Sequence, residues 1–173
     1  IYTPTQQAAA VALADATISA IDHPHTVVAY TDGASRGNPG PAGAGAIVTY
    51  PQWGPTRSFH TTELSVALGP GTNNLGELWA IGMVLQDLLN KTARGYQPPS
   101  MGIFLTDSAY VKGCLADGWE PTGTNAPLVR ALLAAIVASP IDWTFAWIPG
   151  HSDVAGNEAA DKAATRGALA SAE

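Results

Sequence analysis

The hydrophobic pattern changes period partway along the chain. TVVAY, 26–30, is a short apolar run rich in β-branched residues, the pattern of a buried strand. GAGAIVTY, 43–50, predicts a second strand, and RSFHTTELSVAL, 57–68, alternates around Phe59, Leu64, Val66 and Leu68 as a third. Gly54-Pro55 and Gly69-Pro70-Gly71 mark turns, so the three strands read as an antiparallel meander. The period then lengthens. Leu75, Leu78, Gly82, Leu85 and Leu89 share one helical face beside Ile81, Val84 and Leu88, predicting a helix of about four turns that ends near Arg94-Gly95. MGIFLT, 101–106, predicts a fourth strand and SAYVKGCLA a short helix. APLVRALLAAIVA predicts another helix, its ALLAAIVA portion read as buried. IDWTFAWI, 141–148, predicts a fifth strand, and GNEAADKAATRGALASA a closing helix. The sum is an α/β chain with a mixed sheet and helices packed against it. Upstream, Thr3-Pro4 reads as a cap and first helical position, and Ala8, Val11, Ala12 and Ile18 follow as a weak amphipathic stripe. Residues 1–25 therefore read as a helical extension or linker.

Composition changes this picture little. With 173 residues, 46% hydrophobic and 13% charged, the chain has an ordinary globular balance. The single cysteine, Cys114, excludes a disulfide framework or thiolate metal site within one chain. No apolar run is long enough to span a bilayer, and no signal-peptide pattern opens the chain, so an intracellular place, cytoplasm or nucleus, is expected. The first residue is Ile1 rather than methionine, which fits a piece of a longer polypeptide. Charge matters more. The net charge is −6 and the eight Lys and Arg residues are scattered, which opposes strong non-specific binding to nucleic acid.

Four carboxylates and a histidine stand out against that background. Asp32 heads TDGASRGNPGPAGAGAIV, just after the first predicted strand. An Asp-Gly hairpin turn is the plain reading, but the next strand begins near Gly43, too far on for a two-residue turn. The stretch lacks the Gly-Lys-Ser/Thr of a P-loop and the third glycine of a dinucleotide fingerprint. Glu77 lies in the first turn of its helix, where Asn74-Leu75-Gly76-Glu77 resembles a capping box, yet it shares a stripe with Ile81, Val84 and Leu88. Asp107 ends the fourth strand; it or Ser108 can cap the next helix, and mixed sheets place sites there. Asp161 has no cation at i+3 or i+4, whereas Glu158 has Lys162. His151, in IPGHSD, falls on a loop between strand and helix. Carboxylates at adjacent strand ends and helix starts can converge, and ionised together they repel unless a cation joins them. Oxygen ligands suit Mg²⁺ or Mn²⁺, and Zn²⁺ is disfavoured without a Cys/His set. Such a group suits metal-assisted phosphoryl chemistry.

Four blocks, YTDGASRGNPGPAGAGAIV, GTNNLGELWAI, LTDSAYV and WIPGHSDVAGNEAADKAA, together resemble the type 1 ribonuclease H family, in order from Tyr30 to Ala164. The resemblance implies a ribonuclease H-like fold over residues 26–170, with a five-stranded mixed sheet in the order 3-2-1-4-5 and helices on both faces. It implies Asp32, Glu77, Asp107 and Asp161 as metal ligands and His151 as the family's flexible histidine. The implied activity is cleavage of the RNA strand of an RNA–DNA hybrid, leaving 5′-phosphate and 3′-hydroxyl ends. Two Mg²⁺ ions, ~4 Å apart, would flank the scissile phosphate, one activating water and one steadying the leaving oxygen, with Mn²⁺ as a substitute.

The same resemblance implies that Asn38 and Thr72 hold a phosphate of the DNA strand. It places Asn73 and Asn74 in the minor groove, where the 2′-hydroxyl marks RNA; helix capping is their alternative. The chain departs from the family pattern at Ala109, where a glutamine is common, and lacks a basic helix and loop, having the acidic LADGWEPTGTNAPLV instead. Trp119 is the candidate to stack on DNA sugars in that region, with plain packing as its alternative. Weak binding by the isolated domain follows, offset by tethering to a reverse transcriptase or another nucleic-acid-binding module, as in retroelement polyproteins. The competing functional reading is a non-catalytic binding or tethering domain.

Overall fold

The computed structural model describes residues 2–53 and 58–173. The expected Gly54-Pro55 turn and the start of the third strand at Arg57 lie outside the described residues. Five strands form one sheet: β1 (Thr26–Ser35), β2 (Gly40–Trp53), β3 (Ser58–Gly71), β4 (Met101–Thr106) and β5 (Asp142–Trp147). Their order is β3-β2-β1-β4-β5. β1, β2 and β3 pair antiparallel; β4 joins β1 and β5 joins β4 in parallel. Helices α1 (Pro4–Ser19), α2 (Asn73–Ala93), α3 (Ala109–Leu115), α4 (Ala126–Ala138) and α5 (Ala155–Ser171) complete the domain. The mixed sheet is the one the hydrophobic pattern predicts, and its order is the one the family resemblance implies.

The alternation of strand side chains divides the core between the two faces. On one face Val27, Ala29, Ala46, Val48 and Phe104 meet Leu78, Ile81, Val84 and Leu88 of α2, Val111 of α3 and Val129 and Leu132 of α4. Phe104 stacks between Trp143 and Phe145, with ring centroids 4.3 and 4.9 Å away. On the other face Val28, Leu105 and Ile148 form a smaller cluster, against which Ile18 and Ile21 pack. The segment read as an extension or linker is thus a helix laid on the sheet. Its cap is as read: Thr3 Oγ1 accepts from Gln6 N, and Gln6 reaches back to Thr3 N.

α5 covers the β2 end of that second face, and glycine makes this possible. A Cβ at Gly43 would lie 2.2 Å from Ala168 N, and one at Gly45 2.3 Å from Ala164 N. Helix backbone and strand backbone touch, with Ser65 Oγ donating to the Ala163 carbonyl at 2.7 Å.

Three expectations need correction. β1 does not stop at Tyr30; it runs through Asp32 to Ser35, pairing Asp32 with Gly45 and Ser35 with Ala42. The glycine-rich stretch is therefore mostly paired strand, because the β2 ladder supplies hydrogen-bond partners that local propensity does not reveal. Gly69-Pro70-Gly71 is the bulged end of β3 rather than a turn, with the register shifting at Ala42/Gly43 opposite it. The ALLAAIVA part of α4 is largely exposed: Val137 is 86% exposed and Leu132 is its one fully buried residue.

These contacts give opposite outcomes for two glycine substitutions. Gly43→Ala forces α5 off the sheet and costs about 2 kcal/mol or more. Gly82→Ala, where the added carbon meets only Leu132 Cδ2 at 3.4 Å, removes a helix-interior glycine. It gains about 0.5–1 kcal/mol. Urea denaturation will show midpoints moving in opposite directions.

Candidate active site

Two backbone contacts build the centre of the site. A Cβ on Gly33 would fall 2.2 Å from Glu77 N and 2.4 Å from the Gly76 carbonyl carbon. β1 and the start of α2 therefore meet backbone to backbone, which brings Asp32 and Glu77 side by side. α2 begins earlier than the capping-box reading implies. Thr72 is its cap, accepting from Leu75 N at 3.1 Å. Glu77 is thus released from capping and is buried, 8% exposed, facing Asp32 at 6%. Asp107 follows the last residue of β4. Ser108, not Asp107, caps α3 by accepting from Val111 N at 3.1 Å. Trp147 Nε1 donates to the Asp107 carbonyl at 3.1 Å, leaving the carboxylate for the site.

One carboxylate oxygen from each of Asp32, Glu77 and Asp107 lies within 4.8 Å of the others. Asp161 stands outside this trio, exposed on α5, but its charge raises the pKa of both Asp32 and Asp107. Among the described residues no lysine or arginine forms an ion pair with any of the three. Burial, and next the Asp107 charge, pushes Asp32 up to about 7. Burial, and next the Asp32 charge, holds Glu77 well above the usual carboxylate range. Asp107 is raised mainly by burial, with Asn157 and the His151 charge opposing. Glu77 Oε2 is buried without a hydrogen-bond partner.

Buried like charges without a counter-charge cost stability, and an unpaired buried oxygen adds to that cost. Every donor in the trio is a hard carboxylate oxygen, and the group fits a divalent cation such as Mg²⁺ or Mn²⁺.

The remaining candidates surround this centre. His151 is exposed on the β5–α5 loop, with φ +56°, and close enough to Asp107 to lower its pKa. Asn38 Oδ1 accepts from Asn73 N at 3.0 Å, tying the β1–β2 turn to the N-terminus of α2. Asn73 and Asn74 are exposed there beside Thr72. Asn38, Thr72, Asn73 and Asn74 therefore form one patch. Trp119 lies apart from it, 52% exposed, its ring against Gly113 of α3, where a Cβ would sit 2.3 Å from Trp119 Cδ2.

Sequence reasoning missed three supports: Gly33 against Gly76, Gly150 against the Asp107 carboxylate, and buried Asn157 beside Asp107. Their signal was adjacency. Gly33 follows Asp32, Gly76 precedes Glu77, Gly150 precedes His151, and Asn157 is four residues before Asp161.

Known proteins resemble this chain in sequence and fold. The RNase H family model matches residues 24–169. A ribonuclease H of Alcanivorax borkumensis is 36% identical over 153 residues, 82% of this chain and 90% of the relative. The N-terminal RNase H domain of a Mycobacterium tuberculosis protein, solved as a fusion with maltose-binding protein, superposes with a TM-score of 0.65. It is 30% identical, covering 85% of this chain and 96% of that one. LC11-RNase H1, solved in complex with an RNA/DNA hybrid, shares the fold at a TM-score of 0.63 and 23% identity, covering 81% and 97% of the two chains. The chain belongs to the type 1 ribonuclease H family.

Proposed function

We propose that this protein hydrolyses the RNA strand of RNA–DNA hybrids, using two divalent cations and leaving 5′-phosphate and 3′-hydroxyl ends. The observation that carries the reading is the trio of Asp32, Glu77 and Asp107, the first two buried and the third half-buried, with no lysine or arginine paired to any of them among the described residues. A binding domain without catalysis would gain stability by losing one of these carboxylates, and the chain keeps them all.

Asp32, Glu77 and Asp107 would hold the cations, with Asp161 completing the ligand set from the rim. Divalent cations supply neutralisation of phosphate charge and a lowered pKa for water. The rest falls to the chain's own groups. The buried walls around Asp32 and Glu77 lower the local dielectric, which strengthens each electrostatic contact with the phosphate. His151, exposed at the rim, takes and returns a proton at a ring nitrogen. Asn38 keeps its Nδ2 amide for a phosphate of the DNA strand while its oxygen secures α2, and the Thr72 hydroxyl stands beside it. Asn73 and Asn74 face the minor groove, where a 2′-hydroxyl distinguishes RNA. Trp119 offers an aromatic face to DNA sugars. All of these contacts are neutral, in keeping with a net charge of −6. A nucleic-acid-binding module in the same polypeptide, such as a reverse transcriptase, would raise the effective concentration of substrate.

Cleavage is tested on end-labelled RNA–DNA hybrid, RNA duplex and DNA duplex. Hybrid RNA alone is cut, EDTA abolishes cutting, and Mg²⁺ or Mn²⁺ restores it. Asp32→Asn or Glu77→Gln lowers kcat at least about 100-fold. Equal cutting of DNA duplex, or full activity in EDTA, overturns the reading. Binding is measured on Asp32→Asn by fluorescence anisotropy at 150 mM salt. The isolated domain binds hybrid with a Kd of about 1–100 µM.

The site also sets a pH dependence for the metal-free protein. Asp32 carries a raised pKa when folded, about 7 against an ordinary 3.8. The folded state therefore binds the extra proton between those values, and this group's contribution to stability falls as pH rises from about 4 to 7. Asp32→Asn flattens that slope and stabilises the metal-free protein at pH 7.5 by about 1–2 kcal/mol. Thermal melts in EDTA across pH check both.

A further inference from the structure

The loop that carries His151 is strained. His151 and Asp153 both adopt left-handed φ values, +56° and +59°, although neither is glycine. Such residues persist only where their surroundings over-determine them. Part of that support is local: Ser152 and Val154 are buried, and Gly150 fits against the Asp107 carboxylate, a Cβ there lying 3.0 Å from Oδ2. One support comes from far away in sequence. Gln7 Nε2 donates to the His151 carbonyl oxygen at 2.7 Å.

Gln7 is half-buried in the second turn of α1, which precedes residues 24–169 matched by the family model. α1 carries the donor of this contact. A capping box starts it, Ala10 and Ala14 are buried along it, and Ile18 packs against the cluster of Val28, Leu105 and Ile148, the last of these just before the loop. A cleft of about 700 Å³, lined by Tyr2, Pro4, Gln7 and His151, opens beside the contact. The backbone of His151 is gripped while its imidazole stays exposed, which is what a mobile proton-handling group requires.

We propose that α1 is an added support of the catalytic loop, with Gln7 as a positioning residue that holds the His151 backbone so that its ring presents at Asp107. The proposal builds on the reading of His151 as a proton-handling group. Gln7→Met keeps size and helix propensity but removes the donor; Gln7→Lys keeps a donor of similar reach. In Gln7→Met, amide hydrogen exchange across 150–153 quickens about 5-fold, as expected for loss of one hydrogen bond. kcat falls by a similar factor, KM stays within twofold, and Tm is unchanged. Gln7→Lys restores both readouts. In a His151→Ala background Gln7→Met has no further effect on kcat, since the two act through one group.

Unchanged loop exchange in Gln7→Met overturns the proposal, as does a loss of kcat that persists beside His151→Ala. Exchange is read without substrate. A protein that cuts no hybrid therefore sinks the functional reading, while the exchange data still decide whether Gln7 holds the loop.

Discussion

Three carboxylates have to meet within 4.8 Å with no lysine or arginine paired to them among the described residues, and much of the fold serves that demand. Two of them come from elements whose axes would ordinarily stand about 10 Å apart. Gly33 and Gly76 remove the side chains that would enforce that spacing, so β1 and α2 touch directly. Thr72 then starts α2 early enough to place Glu77 over Asp32. The parallel β1–β4 pairing, Tyr30 with Leu105, brings the end of β4 alongside, and Asp107 follows it.

Such a site opposes stability, and its cost is met elsewhere. The large face of the sheet buries Leu78, Ile81, Val84, Leu88 and Phe104, all at 2% exposure or less. At roughly 1.5–3 kcal/mol for each fully buried side chain, a few of these offset a strained acidic centre. The opposite face lacks bulk: Gly43, Gly45 and the alanines of α5 let backbones pack closely rather than interlock large side chains. That thin layer leaves the β1–β4 part of the face uncovered, and Ile18 of α1 and Ile21 just after it fill it.

How much of this was legible depends on where the information lies. The 3.6-residue stripe of α2, the strand pattern of 101–106 and the cap at Thr3 are local, and each reads correctly. The extension of β1 to Ser35 was not local. Gly33, Ala34 and Ser35 have weak strand propensity, and only pairing with β2 makes them strand. The same holds for Lys91, read as one of the scattered cations. It is 3% exposed, its Nζ 2.9 Å from Asp87, and Tyr50 donates to the same carboxylate at 2.5 Å. Within the site, residue identities were visible as motifs, but their burial was not. The family resemblance gave Glu77 and Asp161 the same role, yet one is buried in the trio and the other is exposed on α5. Gln7 carried no signal, because its partner is the backbone of a residue 144 positions away.

The acidity of the chain fits the same logic. A phosphate approaching Asp32, Glu77 and Asp107 meets repulsion unless cations come with it, so affinity for a polyanion is tied to cation binding at the site. Basic side chains nearby would weaken that coupling by attracting nucleic acid whether or not the site was loaded. The contacts proposed at the start of α2 are themselves neutral: Asn38, Thr72, Asn73 and Asn74 sit where helix N–H groups already favour an anion, with exposed Arg36 two residues before Asn38 as a nearby cation. On the proposed reading, a domain built this way discriminates by geometry rather than by non-specific attraction, so its selectivity depends on whether the site is loaded.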